Sequence, residues 1–63
     1  MPISGKEMLK RFLKNGWYII RQKGSHIQIR KNKENEILNE TIPLHKELKK
    51  GLEKYLFKRL KEE

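Results

Sequence analysis

The apolar residues of this chain recur with a helical period at its two ends and with a strand-like alternation between them. Near the N-terminus the helical stripe consists of Met8, Leu9, Phe12 and Leu13. Ser4 is followed three residues later by Glu7, the spacing of a capping box that satisfies free N–H groups at a helix start. Gly16 follows Asn15 and suits a helix end, because glycine tolerates the left-handed conformation. The pattern predicts a helix over residues 4–14.

The next stretch has the pattern of a β-hairpin. Residues 17–22 are rich in aromatic and β-branched side chains, residues 26–31 alternate apolar and polar positions, and Lys23-Gly24-Ser25 lies between them. A two-residue turn at Lys23-Gly24 predicts Arg21 directly opposite His26, and a turn at Gly24-Ser25 keeps the same two faces. One face is then apolar and predicted to join the core, with Tyr18, Ile20, Ile27 and Ile29. The opposite face is aromatic and cationic, with Trp17, Ile19, Arg21, His26, Gln28 and Arg30.

A third strand and a second helix are predicted after a polar turn. The strand covers residues 37–42 and ends at Pro43, because proline cannot donate to a β-ladder. The last segment has a helical stripe of Leu48, Leu52, Tyr55, Leu56 and Leu60. Gly51 should weaken its start, and Phe57, which falls off the stripe, packs at the core edge or against a partner. The order α-β-β-β-α predicts an α+β fold, with three antiparallel strands covered on one face by two helices, resembling the double-stranded-RNA-binding domain.

The composition limits the class of protein. A chain of 63 residues suffices for a single domain, 1–63, whose small core would benefit from a partner protein. The chain has no cysteine, two histidines and no aspartate, which excludes a disulfide and argues against a metal site. No apolar run approaches the roughly 18 residues of a membrane span, and no signal-peptide core precedes the first helix. We therefore expect a cytoplasmic protein without a cofactor and without a membrane partner.

The positive charge lies in the first half of the chain. Residues 1–33 contain nine lysines and arginines and only one acidic residue, Glu7, whereas residues 34–63 contain seven of each sign. Such a field attracts polyanions, and the charge by itself would suit RNA, DNA or an anionic membrane surface. A solubilising surface is the simpler alternative, and it also applies to the row of lysines predicted along one face of the first helix, Lys6, Lys10 and Lys14.

His26 is the candidate catalytic residue. An imidazole titrates near ~6.5 and can take the proton that a 2′-hydroxyl must lose when it attacks the adjacent phosphate of RNA. Neighbouring cations would bind that phosphate and stabilise its developing charge, and a hydroxyl would add a hydrogen bond. The alternative is an ordinary exposed histidine on a strand. The candidate RNA-binding residues are Arg21, Lys23, Ser25, Arg30 and Lys10.

Two further residues are secondary candidates. His45 follows Pro43-Leu44 at the junction between strand and helix, where it would transfer a proton, contact phosphate or simply cap the helix. Trp17 would stack on a base, anchor a protein partner or turn round the sheet edge into the core.

Two segments of the chain resemble one protein family. The run from Trp17 to His26, which ends in Arg-Gln-Lys-Gly-Ser-His and follows a helix ending in Asn-Gly, is similar to the signature of HicA-type toxins. The run from Thr41 to His45, followed by Lys-Glu-Leu-Lys-Lys-Gly, is a second similarity, although Leu52 stands where the family often has threonine. The resemblance implies a metal-independent mRNA interferase with His26 as its key catalytic residue. It also implies a HicB-type antitoxin that binds the toxin and masks this site.

Three hypotheses remain from the sequence. The first is an endoribonuclease toxin that cuts mRNA with His26 as acid or base. The second is a non-catalytic RNA-binding module that uses the same basic face. The third is an interaction protein whose Trp17 and Phe57 surface serves only a partner.

Overall fold

Two helices cover one face of a three-stranded antiparallel sheet. The computed structural model describes residues 3–61, and its elements are α1 (Gly5–Lys14), β1 (Tyr18–Lys23), β2 (His26–Asn32), β3 (Ile37–Pro43) and α2 (Lys50–Lys61). The strands lie in the order β1-β2-β3, and each pairs antiparallel with the next. The predicted α-β-β-β-α order and the α+β class are confirmed. Within the described residues, neither helix is long and apolar enough to cross a membrane.

Helix α1 begins and ends where its capping residues predict. The Ser4 hydroxyl oxygen accepts a hydrogen bond from the backbone N–H of Glu7 at 3.1 Å, which satisfies one of the free donors at the helix start. The helix ends at Lys14, and Gly16 follows with φ of 92°, a value that glycine adopts without strain. The helix buries Met8 and Phe12 against the sheet side of the molecule.

The hydrophobic core lies between the helices and the covered face of the sheet. Its buried members are Met8, Phe12, Trp17, Ile27, Ile29, Ile42, Leu48 and Leu56. Leu48 reaches this core from the loop before α2, where its N–H donates to the carbonyl of Ile3 at 2.9 Å. The predicted helical stripe therefore begins one turn later than its first leucine. Phe57 packs partly buried at the core edge, which is one of the two places expected for it.

The hairpin turns at Gly24-Ser25, the second of the two turns that the sequence allows. Lys23 is paired with His26, so the prediction that Arg21 lies directly opposite His26 is wrong. Gly24 has φ of 60°, and Ser25 has no positive φ, as in a type II′ turn with glycine at its first central position. The glycine therefore selects this turn over Lys23-Gly24, which would require a positive φ at lysine.

A β-bulge in β1 exchanges the faces predicted for its first residues. The pairing shifts between Ile19 and Arg21, so that Ile19 lies opposite Ile29 and Tyr18 opposite Arg30. An extra residue in one strand reverses the alternation beyond it. The predictions that Tyr18 and Ile20 join the core and that Trp17 lies on the open face are therefore wrong. Trp17 is instead buried, at 3% exposure, and Tyr18 remains exposed.

Candidate active site

The face of the sheet away from the helices, here called the open face, carries the candidate residues in rows that cross the three strands. The rows consist of Lys23, His26 and Pro43, then Arg21, Gln28 and Thr41, then Tyr18, Arg30 and Asn39. These rows hold three cationic side chains and no carboxylate. The acidic residue of β3, Glu40, points to the covered face instead, where it accepts hydrogen bonds from Tyr55 and Arg59 of α2 at 2.8 and 3.1 Å. The open face is thus cationic, because the alternation along β3 turns its acidic side chain, Glu40, to the covered face.

His26 lies at the turn end of this surface and is exposed. Its direct partner across the hairpin is Lys23, and side chains in such a pair have Cβ atoms roughly 4.5–5.5 Å apart. Arg21 is its diagonal neighbour, at a distance of roughly 7–8 Å. The His26 imidazole therefore has two cationic neighbours, Lys23 and Arg21, on the same open surface, and their long side chains can reach it.

A second histidine lies beside the first. The rings of His26 and His45 have centroids 6.3 Å apart, with an angle of 66° between their planes. The two residues that precede them are joined directly, because the backbone N–H of Leu44 donates to the carbonyl of Ser25 at 2.7 Å. The structure therefore brings His45 to the same end of the sheet as His26, although 18 residues of chain separate them.

Helix α1 holds the segment that carries His45. The N–H of Gly5 donates to the carbonyl of His45 at 2.9 Å, and Gly5 is buried. A Cβ atom at this glycine would overlap the carbonyl oxygen of Pro43 and crowd the Cα atom of Leu44. Gly5 is a positioning residue that the sequence analysis missed. The sequence shows only a glycine next to the N-cap serine. Because larger side chains are ordinarily tolerated at that position, the glycine did not indicate a close backbone contact.

Arg30 lies on the open face at the end remote from His26. Its Nε donates to the side-chain oxygen of Asn39 at 2.9 Å, and it lies four positions after His26 in β2, about 13 Å along a strand. Tyr18 lies opposite Arg30, and its hydroxyl accepts a hydrogen bond from Asn32 at 3.0 Å. Ile20 lines a shallow depression next to this pair, together with Gln28. The remote end of the open face thus combines a cation, an aromatic ring and apolar surface.

Two of the predicted site residues lie elsewhere. Lys10 is on the helical side of the molecule, where it lines a depression with Lys14 and with Leu60 of α2, so it does not join the His26 group. Trp17 packs edge-on against Phe12, with ring centroids 5.1 Å apart, in the core. Of the three possibilities for Trp17, the turn into the core is the one that the structure adopts. The Trp17 and Phe57 surface required by the interaction-protein hypothesis is therefore not formed.

The candidate site contains no obvious set of metal ligands. Among residues 3–61, no group of three or more histidine, cysteine, aspartate or glutamate side chains is arranged to hold a metal ion. The described side chains of the open face offer proton transfer by imidazole and charge stabilisation by lysine and arginine.

Comparison with known proteins supports the sequence resemblance. A family model described as the HicA toxin of bacterial toxin-antitoxin matches residues 5–61, which is nearly the whole chain. No curated protein and no solved structure matches the chain. The matched range includes both histidines and every residue of the open face described above.

Proposed function

The chain belongs to the HicA toxin family of bacterial toxin–antitoxin systems, and from that premise we propose that it is an endoribonuclease that cuts mRNA without a metal ion. As a member of this family it is the toxin of such a system, which implies an antitoxin partner. The observation that carries the proposal is the position of His26, an exposed imidazole on a cationic face and directly opposite Lys23.

His26 acts in this proposal on the 2′-hydroxyl of the nucleotide before the cut. It removes the proton as the 2′-oxygen attacks the adjacent phosphorus, and the bond from phosphorus to the 5′-oxygen of the next nucleotide breaks. The products are a 2′,3′-cyclic phosphate and a 5′-hydroxyl. A positioned base contributes roughly 10²–10⁴-fold to such a step. Lys23 and Arg21 stabilise the charge that develops on the phosphate oxygens, and Ser25 shapes the turn that presents the imidazole.

The open face fits single-stranded RNA better than a duplex. Exposed Tyr18 offers a ring on which an unpaired base can stack, a contact worth ~1–3 kcal/mol in proteins that bind single strands. Arg30 would bind the backbone about 13 Å from the cut, the length of four residues along a strand. Stacking and phosphate contacts carry little sequence information, so we expect weak sequence preference on single-stranded or ribosome-bound mRNA.

The same face is the expected binding surface of a HicB-type antitoxin. A partner with an acidic surface would be attracted by the net charge of +8 and would cover His26 when bound.

An Arg21→Glu variant should then associate more slowly with the antitoxin and show a smaller dependence of the association rate on salt, as measured by stopped-flow mixing. An unchanged rate would mean that the antitoxin binds another surface.

The proposed reaction is tested by removing its nucleophile. An RNA oligonucleotide is incubated with the purified protein in EDTA, the cleaved bond is mapped, and the oligonucleotide is then made with 2′-deoxyribose at that nucleotide alone. We expect cleavage of the first RNA to give cyclic phosphate ends and the deoxy version to resist cleavage at that bond. Cleavage of both would contradict the proposed mechanism. Salt-dependent binding of RNA without any cleavage would instead favour a non-catalytic RNA-binding module.

A further inference from the structure

We propose that His45 is the second catalytic residue of this site, the general acid that protonates the 5′-oxygen leaving group while His26 acts as the base. The inference rests on the proposed nuclease function and adds the group that completes its proton transfers. The attack of the 2′-oxygen places one proton on His26, and the departing 5′-oxygen takes one proton from the His45 imidazolium. The phosphorus gains one oxygen bond and loses another, so the reaction needs no metal, oxidant or further reactant.

The separation of the two rings lets both reach one phosphate. Their centroids are 6.3 Å apart, and His26 and His45 form no hydrogen bond with each other in the described structure. A general acid or base must come within about 2.6–3.2 Å of the atom whose proton it moves. Two exposed rings this close together can each reach an oxygen of the same phosphate. Because the attacking and leaving oxygens lie roughly in line across the phosphorus, two groups on opposite sides serve them better than one.

The backbone around His45 is fixed to the element that carries His26. Leu44 donates to the carbonyl of Ser25 at 2.7 Å, and His45 accepts from the N–H of Gly5 at 2.9 Å. The hairpin turn and the start of α1 therefore both hold the segment that carries the second imidazole. These backbone bonds fix the point from which the His45 side chain starts, beside the hairpin turn. His45 also lies five residues before α2 begins at Lys50, so it does not cap that helix.

The charged residues near the two histidines are the other groups that bear on how the cleavage rate depends on pH. Lys23 is paired with His26 across the hairpin, and Arg21 is its diagonal neighbour. The charged residues beside His45 in the chain, and those in the first turn of the helix that bonds its carbonyl, are Lys46, Glu47, Lys6 and Glu7. A mechanism that needs one general base and one general acid predicts a rate that falls at both low and high pH.

The test separates protonation of the leaving group from every other role. The mapped RNA is prepared in two forms, one natural and one with sulfur in place of the 5′-oxygen at the cleaved bond. A thiolate leaves without protonation, so this substrate does not need a general acid. Both forms are incubated with the wild-type protein, with His26→Gln, with His45→Gln and with the control Glu47→Gln, which changes an exposed residue of the same loop. Thermal unfolding by circular dichroism checks that each variant is folded.

We expect His45→Gln to cut the natural RNA about 10²–10⁴-fold more slowly than the wild type, the range of a general acid. It should cut the sulfur substrate within a few-fold of the wild type and lose the high-pH fall of the rate. His26→Gln should fail on both substrates, and Glu47→Gln should behave as the wild type. Equal activity of His45→Gln and wild type on natural RNA, or equal loss on both substrates, would overturn the role of His45 alone. Failure of the wild type on natural RNA would overturn the nuclease proposal and this inference with it.

Discussion

Replacing Gly5 by alanine should destabilise the protein, although alanine is the better helix former. The added Cβ would overlap the Pro43 carbonyl oxygen and lie 2.9 Å from the Cα atom of Leu44, and both are backbone atoms that no side-chain rotation can move. The helix start must therefore shift, which strains or breaks the hydrogen bond from Gly5 to the carbonyl of His45. Overpacking costs roughly 1–3 kcal/mol and a lost hydrogen bond about 1 kcal/mol, so we expect a loss of about 2–4 kcal/mol.

The same substitution at Gly51 provides the control. Gly51 lies in the first turn of α2 with open space where its Cβ would be, so alanine there should raise the free energy of unfolding by up to roughly 1 kcal/mol. Urea unfolding followed by circular dichroism measures both variants. Since domains of this size have only about 3–9 kcal/mol of stability, the loss at Gly5 should be visible as a large fall in the midpoint. Equal stability of the Gly5 variant and the wild type would refute the claim that α1 is seated directly on the Pro43–His45 segment.

Three further substitutions test the exchanged faces of β1 and the ion pair between β3 and α2. Tyr18→Ala should weaken binding of single-stranded RNA by ~1–3 kcal/mol, roughly 5- to 150-fold, with little change in stability, whereas Trp17→Leu should lower stability by a few kcal/mol. Filter binding measures the RNA affinity, and urea unfolding measures the stability. Weaker RNA binding by the Trp17 variant together with lower stability of the Tyr18 variant would contradict the bulge. Glu40→Gln should cost about 1–3 kcal/mol in urea unfolding, because Arg59 would lose its carboxylate partner in a position where their side chains are 24% and 13% exposed. An unchanged unfolding midpoint would mean that this ion pair adds nothing to stability.

The elements of the fold follow from local patterns that the sequence states clearly. The Ser4 cap, the helical stripe ending in Leu13 and the glycine after Asn15 define α1 to within one residue. Pro43 ends the third strand, as a residue without an N–H must when it would otherwise continue a ladder. These signals are local, because each depends on residues within one turn of helix or one strand. The position of His26 on the open face follows in the same way from the alternation of β2.

The errors arise where a single residue changes the geometry of a whole strand. The bulge between Ile19 and Arg21 has no glycine or other local marker, so the alternation predicted for β1 places Trp17 and Tyr18 on exchanged faces. The larger apolar surface of tryptophan favours its burial, and tyrosine keeps its hydroxyl in contact with solvent. The proximity of His45 to His26 depends on a long-range hydrogen bond between loops, and no sequence period encodes such a contact. The distance of Lys10 from the His26 group could not be predicted for the same reason, because the placement of a helix on a sheet is a tertiary property.

The central claim is that this protein cuts RNA with His26, and it is tested most directly by measuring cleavage rates in EDTA for the wild type and for His26→Gln. Both proteins are first shown to unfold at matching urea concentrations and to bind RNA with similar affinity. We predict that the wild type cuts RNA in the presence of the chelator and that the variant cuts at least about 10²-fold more slowly, the smallest contribution usual for a positioned acid or base. Equal rates for the two folded proteins, or no cleavage by the wild type, would contradict the claim.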